Sequence, residues 1–156
     1  MTLSVDVEDP RQPEVEGLLR DGEEYALSLY PANSCYLLSV GELAGDDVTV
    51  IVARVEGRAV GMAALVDRGD GSGELKRLFV DEEGRGRGVA TAIMDALEHA
   101  AREGGVCILQ LETGPKQLAA IALYERRGYA VIENFGPYAG DEFSVCMEKD
   151  LSARST

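Results

Sequence analysis

Tryptophan is absent from this chain, histidine occurs once, and aromatic residues fill only 6% of its 156 positions. No apolar run approaches the roughly 18 residues that cross a bilayer. The opening Met1-Thr2-Leu3-Ser4-Val5-Asp6 has no basic n-region and no hydrophobic stretch, so neither a signal peptide nor a membrane span is expected. Cysteine is scarce and odd in number. Cys35, Cys107 and Cys146 stand far apart without metal-ligand spacing, which suits reduced thiols in a cytoplasmic protein and gives no metal site. A Ser-His-Asp site stays open on count alone, but no nucleophile elbow accompanies His99, which reads as a helix-surface residue.

Positive charge is also short: 15 Lys and Arg stand against 28 Asp and Glu, a net charge of −13. Nucleic acid and anionic membranes are therefore poor partners. A cationic substrate fits this charge, although an acidic surface is also what keeps proteins soluble. One stretch departs from the trend, with Lys76, Arg77, Arg85 and Arg87 close together in sequence. The 46% hydrophobic and 28% charged content is that of an ordinary globular protein. One domain over residues 1–156 is expected, with 152–156 as a disordered tail.

Hydrophobic periodicity predicts the elements. Residues 3–6 read as a short strand and Pro10 to about Ser28 as an amphipathic helix, with Pro13 near its start. Val48–Val55 and Ala59–Val66 form a hairpin about Glu56-Gly57. A loop at 67–73 leads to a third strand, Glu74–Val80. Val89, Ile93, Ala96, Leu97 and Ala100 recur at helical spacing until Gly104-Gly105. A strand at Val106–Leu111, a short helix ended by Gly128, and strands at Ala130–Ile132 and Ser144–Met147 complete the chain. Antiparallel strands followed by one β-α-β-α unit imply an α/β (α+β) fold, a mixed sheet with helices on both faces.

Between the third strand and the long helix lies Gly84-Arg85-Gly86-Arg87-Gly88-Val89-Ala90. A glycine-rich turn that opens a helix gathers backbone N–H groups and the positive end of the helix dipole, a place for an anion such as a pyrophosphate. It lacks the Gly-Lys-Ser/Thr of the nucleotide P-loop, and its glycines do not fit Gly-x-Gly-x-x-Gly.

Arg85-x-x-Gly88-x-Ala90 resembles the Gln/Arg-x-x-Gly-x-Gly/Ala signature of the GCN5-related N-acetyltransferase (GNAT) superfamily. Leu123-Tyr124-Glu125-Arg126-Arg127-Gly128-Tyr129 is similar to that family's Leu-Tyr-x-x-x-Gly-Phe/Tyr, one strand later. The resemblance covers about residues 48–149. It implies a GNAT-type, mostly antiparallel sheet and acetyl-CoA as co-substrate, with no metal. Transfer of acetyl to a primary amine would go by direct attack in a ternary complex. Backbone N–H groups of Arg85, Gly86, Arg87, Gly88, Val89 and Ala90 would hold the pyrophosphate. Leu78, Phe79 and Val80 would pair with the pantetheine arm like an added strand, and an N–H near Phe79 or Val80 would serve the oxyanion.

The resemblance further makes Tyr124 the acid that protonates the departing thiolate and Glu74 the general base, with Glu112 in reserve. Gln117 stands where many relatives carry an asparagine for the pantetheine. Arg77, Tyr36 and Tyr138 are candidates to face the acceptor, Arg77 through a carboxylate. Members of the family are often dimers, so a homodimer is the assembly to look for. A small-molecule amine is the leading acceptor. A protein lysine or N-terminus, charged tRNA, and a non-catalytic acyl-CoA-binding module are the alternatives.

Overall fold

The computed structural model describes residues 2–152. Of the expected tail, 153–156 lie outside the described residues. The chain runs β1 (Leu3–Val7), α1 (Pro13–Leu29), α2 (Val40–Leu43), β2 (Val48–Val55), β3 (Arg58–Asp67), β4 (Ser72–Val80), α3 (Val89–Glu103), β5 (Ile108–Thr113), α4 (Leu118–Arg126), β6 (Ala130–Ile132) and β7 (Val145–Asp150). These seven strands form one sheet in the order β1-β2-β3-β4-β5-β7-β6. Only β4 and β5 pair in parallel.

Strands β2 and β3 are apolar on both faces, and this decides the layering. Ile51, Ala53, Ala63 and Leu65 pack on one side with Ile93, Met94 and Leu97 of α3 and with Leu123 and Tyr124 of α4. Val50, Val52, Met62 and Ala64 pack on the other with Val15, Leu18 and Leu19 of α1 and Leu43 of α2. Each large apolar side chain so buried stabilises the fold by about 1.5–3 kcal/mol.

Several boundaries differ from the expected ones for local reasons. Helix α1 starts at Pro13, not Pro10, because Gln12 is the extended N-cap and proline needs no N–H donor in the first turn. Helix α2 has too short an apolar pattern to be legible, but Ser39 and Glu42 form a reciprocal capping box that holds it. Strand β5 starts later than expected because the Val106 N–H still bonds the Ala101 carbonyl of α3.

Strand β4 carries a bulge. Ala64 faces Lys76 and Met62 faces Phe79, so the one residue between them on β3, Ala63, is answered by two on β4, Arg77 and Leu78. Arg77 sits in the bulge at φ +60°, a conformation that costs a non-glycine residue of order 1–3 kcal/mol. Its guanidinium donates to the Leu19 carbonyl of α1 at 2.8 Å. The extra residue resets the alternation. Lys76 and Phe79 share the α1 face, while Leu78 and Val80 pack with the α3 core.

A buried ionic cluster joins α3 to the last strands. Glu98 is 2% exposed. It accepts from Tyr129 Oη at 2.8 Å, Lys149 Nζ at 2.8 Å and Arg127 Nε at 3.2 Å. Burial pushes its carboxyl up, but these three donors outweigh burial and hold it below the usual value. Removing one member of a buried ion cluster strands the others. Glu98→Ala is therefore expected to cost about 3–5 kcal/mol of stability. Urea denaturation of the two proteins measures the loss.

Candidate active site

The bulge bends β4 away from β5. Their parallel ladder runs from Ser72–Ile108 to Leu75–Leu111 and stops there. Beyond it β5 continues beside β7 to Thr113, whereas β4 keeps only β3 as neighbour. The main chain of β4 from Lys76 to Val80 thus has an edge without a strand, and a cleft of about 780 Å³ opens between the two strands.

At one end of the cleft lies the glycine turn. Gly86 and Gly88 both take φ +74°, where L residues are strained. Gly84 is needed for another reason: an added Cβ would lie 2.9 Å from the Val80 side chain. Helix α3 begins at Val89 with no side-chain cap and no acidic residue in its first turn. Its first N–H groups lack helical partners, so they are available to an anion. Of the expected phosphate-contacting residues, Arg85, Gly86, Gly88, Val89 and Ala90 line the cleft. The exposed Arg87 is in the turn but outside that lining. Lys76, Arg77, Arg85, Lys116 and Arg126 line the cleft against one carboxylate among the described residues, Glu112. In a chain of charge −13 this is where an anionic ligand would be drawn.

At the fork the two strands place Lys76 and Glu112 next after the last pair, both on the α1 face. Burial pushes the Glu112 carboxyl up to about 7, with further upward effects from Asp141 and Glu74. A hydrogen bond from Ser144 and the Lys76 charge oppose the rise. Tyr124, from α4, lines the same cleft. Burial, and then the Glu112 charge, pushes its phenol well above the usual value, so it stays protonated at neutral pH. Its ring packs against Tyr129 at 5.8 Å between centroids. No described residue bonds its hydroxyl, yet that oxygen is not among fully buried unsatisfied atoms. It therefore opens on the cleft.

Glu74 sits elsewhere. Its carboxylate accepts from Tyr138 Oη at 2.5 Å and from Arg68 at 3.1 Å, and it does not line the cleft. The reason is register: Glu74 lies opposite Gln110, on the paired side of the fork. Tyr138 is also off the cleft wall, 1% exposed, and accepts from Lys76 Nζ at 2.6 Å. Tyr36 lines the cleft and donates to Asp141 at 2.6 Å, which together with burial pushes its phenol up to about 12. Arg77 lines the cleft too, with one nitrogen committed to α1. Gln117 is the N-cap residue of α4, and its side-chain oxygen accepts from Thr113 at 3.2 Å. Leu78, Phe79 and Val80 lie along the open edge of β4. His99 is on the exposed surface of α3, 3.7 Å from Glu103.

Sequence reasoning gave no role to Tyr30 and Ser144. Tyr30 lies on the backbone at Gly114, where any Cβ would collide with its phenol, and its oxygen accepts from the Lys116 N–H at 2.9 Å. The alternation of Leu109, Gln110, Leu111 and Glu112 was the available signal for Glu112. It puts both polar residues on the face away from the α3 core.

The sequence profile described as Acetyltransferase (GNAT) family matches residues 13–129. The chain belongs to that family. This GNAT chain is an acyltransferase, and its relatives carry the same activity in name. It is 41% identical to the "IAA acetyltransferase" of Azospirillum brasilense over 145 residues, covering 92% of this chain and 95% of the relative. It also resembles the crystal structure of a candidate acyl-CoA N-acyltransferase from Klebsiella pneumoniae subsp. pneumoniae. There the identity is 34%, the TM-score 0.82, and coverage 96% of this chain and 98% of that one. A Thermoplasma acidophilum PaiA N-acetyltransferase solved with coenzyme A shares the fold at TM-score 0.74 and 17% identity, covering 96% of this chain and 99% of the other. Among the described residues no helix is long and apolar enough to cross a membrane. No group of three or more His, Cys, Asp or Glu there could hold a metal.

The Glu112 carboxyl gives this site a pH signature in stability. Its folded value of about 7 lies above the ordinary 4.5, so the folded chain holds a proton that the unfolded chain releases. Stability then falls as pH rises through that interval and levels off above it. Glu112→Gln removes the ionisation. The variant is expected to melt above the wild type at pH 8, with the gap closing below about pH 4.5. Melting temperatures of both proteins across this range check the sign.

Proposed function

We propose that this enzyme transfers acetyl from acetyl-CoA to the primary amine of a small molecule, with Glu112 as general base and Tyr124 as general acid. One observation carries the reading. The open edge of β4, the unpartnered Tyr124 hydroxyl and the Glu112 carboxylate share one cleft, which ends on the uncapped start of α3.

The cleft fits the cofactor by its chemistry. The N-terminal turn of α3, flanked by Arg85, offers donors for a pyrophosphate, and the β4 edge offers main-chain groups to an extended amide-bearing arm. When bound, acetyl-CoA supplies an activated acyl group as a thioester. Glu112 takes a proton from the acceptor ammonium, because only the neutral amine is a nucleophile. A carboxyl near 7 is half ionised at neutral pH, which matches that task. Tyr124 gives its proton to the departing thiolate. A main-chain N–H of β4 near Phe79 or Val80 polarises the carbonyl.

Glu74 is assigned a supporting part: it accepts from Tyr138 and pairs with Lys76 at 3.7 Å. A small acceptor is favoured because two contacts roof that end of the cleft. Tyr36 bonds Asp141, and the Tyr30 and Phe143 rings meet tilted at 56°, 6.1 Å between centroids. A cytoplasmic location belongs to the same reading, supported by the three free thiols.

Calorimetry tests the cofactor first. Acetyl-CoA is expected to bind at micromolar concentration with one site per chain, and NADH and ATP are not. Failure of acetyl-CoA to bind sinks the whole reading. Thiol release with phenethylamine, lysine, spermidine and a free N-terminal peptide then ranks acceptor classes, and turnover confined to the peptide reverses the small-molecule reading. With the best amine, kcat/KM should rise with pH through about 7. Glu112→Gln should lose that limb and about 10²–10⁴ in rate, and Tyr124→Phe a similar factor in kcat. Glu74→Gln should keep the limb.

A further inference from the structure

We propose that Ser144 is a positioning residue for the base: its hydroxyl holds one oxygen of the Glu112 carboxylate and leaves the other turned to the acceptor. The proposal rests on the reading of Glu112 as general base.

Ser144 Oγ donates to Glu112 Oε2 at 2.8 Å. It is the one hydrogen bond that the described residues give this carboxylate. Oε1 has no partner among them and is not a fully buried unsatisfied atom, so it opens on the cleft that Glu112 lines. A carboxylate free to rotate about its last torsion would present either oxygen at a range of angles. One fixed oxygen defines the direction of the other.

The hydroxyl comes from a backbone fixed on every side. Ser144 is 7% exposed. Its N–H bonds the Asp141 carbonyl at 3.2 Å. Its own carbonyl accepts from Asn134 Nδ2 at 3.1 Å, and the same amide reaches the carbonyls of Tyr138 and Asp141, each at 3.2 Å. The next residue, Val145, enters the ladder opposite Thr113. The connection from β6 to β7 is thus tied at Asn134 in the conformation that delivers Ser144 to Glu112.

Other groups also act on this carboxylate. Lys76 and Glu74 face it from β4, and Asp141 from the β6–β7 connection. Cys146 lies on β7, Tyr124 on α4, and Tyr30, Cys35 and Tyr36 on the segment after α1. Tyr138 feels its charge as well. Lys76 is the cation among them, and its ammonium is already bonded to the Tyr138 hydroxyl. Ser144 alone bonds the carboxylate itself, so its removal disfavours the ionised form.

The test needs no substrate. In full-length protein labelled with carboxyl-¹³C glutamate, Glu112 is identified by the signal lost in Glu112→Gln, and its titration is followed by NMR. The wild type should titrate near 7. Ser144→Ala should titrate about one pH unit higher. Ser144→Thr, which restores a hydroxyl, should return it. Ser144→Cys keeps the volume with a weaker donor and should move the same way as alanine, so the result does not hang on one variant. Melting curves check that each variant folds. With acetyl-CoA saturating and the best amine of the panel, the ascending limb of kcat/KM should move with the NMR midpoint. The plateau at high pH should fall as well, by about tenfold, because an ionised carboxylate that is free to rotate is aimed at the acceptor less often.

A midpoint in Ser144→Ala and Ser144→Cys unchanged to within about 0.3 unit overturns the proposal, since a lost donor must move it. So does a rate loss equal at every pH with the limb unmoved, which would mark a merely structural role, and so does a high-pH plateau equal to the wild type's, which would show that the hydroxyl does not aim the base. A limb that survives Glu112→Gln instead overturns Glu112 as the base.

Discussion

The parting of β4 and β5 beyond the Leu75–Leu111 pair is the constraint on which the rest of this molecule depends. A parallel pair that stayed zipped would satisfy more backbone groups, so something must hold the strands apart. The bulge at Arg77 does this, and it is held in turn by α1. The guanidinium on the Leu19 carbonyl turns an unfavourable φ into a cross-link between the sheet and the helix covering it. The α1 face of the site is therefore more than a lid. It belongs to the device that opens the cleft.

The same α1 face changes character across the sheet. Over β2 and β3 it is apolar and roofed by α1 and α2. Over β4, β5 and β7 it carries Glu74, Lys76, Gln110, Glu112 and Glu148. Roofing this part falls to the β6–β7 connection. From it Tyr138 reaches Lys76 and Glu74, Asp141 reaches Tyr36, and Ser144 reaches Glu112. Buried polar groups are tolerated when each finds a partner, and among the described residues no fully buried side-chain oxygen or nitrogen lacks one. Tyr124 Oη and Glu112 Oε1, which have no partner among the described residues, open on the cleft. A ligand in the cleft could supply both.

Much of this was legible in the sequence, and the misses have physical causes. Two-sided burial wrote Val48–Val55 and the hairpin after it as apolar runs, and the glycine turn with Leu123-Tyr124 and Gly128 fixed the order of the later helices and strands. The motif around Arg85 and Gly88 was legible because the backbone there takes positive φ at Gly86 and Gly88, which calls for glycine at fixed spacing. The place of the two candidate carboxylates was harder to read. A glutamate before the glycine turn satisfied the spacing, but spacing along one strand does not say where that strand leaves its neighbour. Glu74 falls on the paired side of the fork and Glu112 on the open side, a distinction that belongs to β4 and β5 together. Ser144 and Tyr30 were missed for the same reason. Each acts through residues more than thirty positions away, and nothing local distinguishes them from an ordinary strand end or helix stop.

The electrostatics of the fork depend on how the charges are distributed. An acidic chain places five basic side chains along the cleft and one carboxylate at its vertex. Basic residues toward the glycine turn complement an anionic ligand. At the vertex only Lys76 offsets the Glu112 charge, and Tyr138 already holds that ammonium. Desolvation therefore prevails and keeps Glu112 near neutrality, where a carboxyl can both accept and release a proton. A carboxylate paired directly with lysine would be a better structural element and a worse base. The interposed Tyr138 hydroxyl, 2.6 Å from Lys76 and 2.5 Å from Glu74, hands the lysine's charge to Glu74 instead. On this account Glu74 serves the chemistry by drawing Lys76 away from Glu112. A glutamate that sequence spacing marks as catalytic can thus stand outside the cleft and still matter to the reaction.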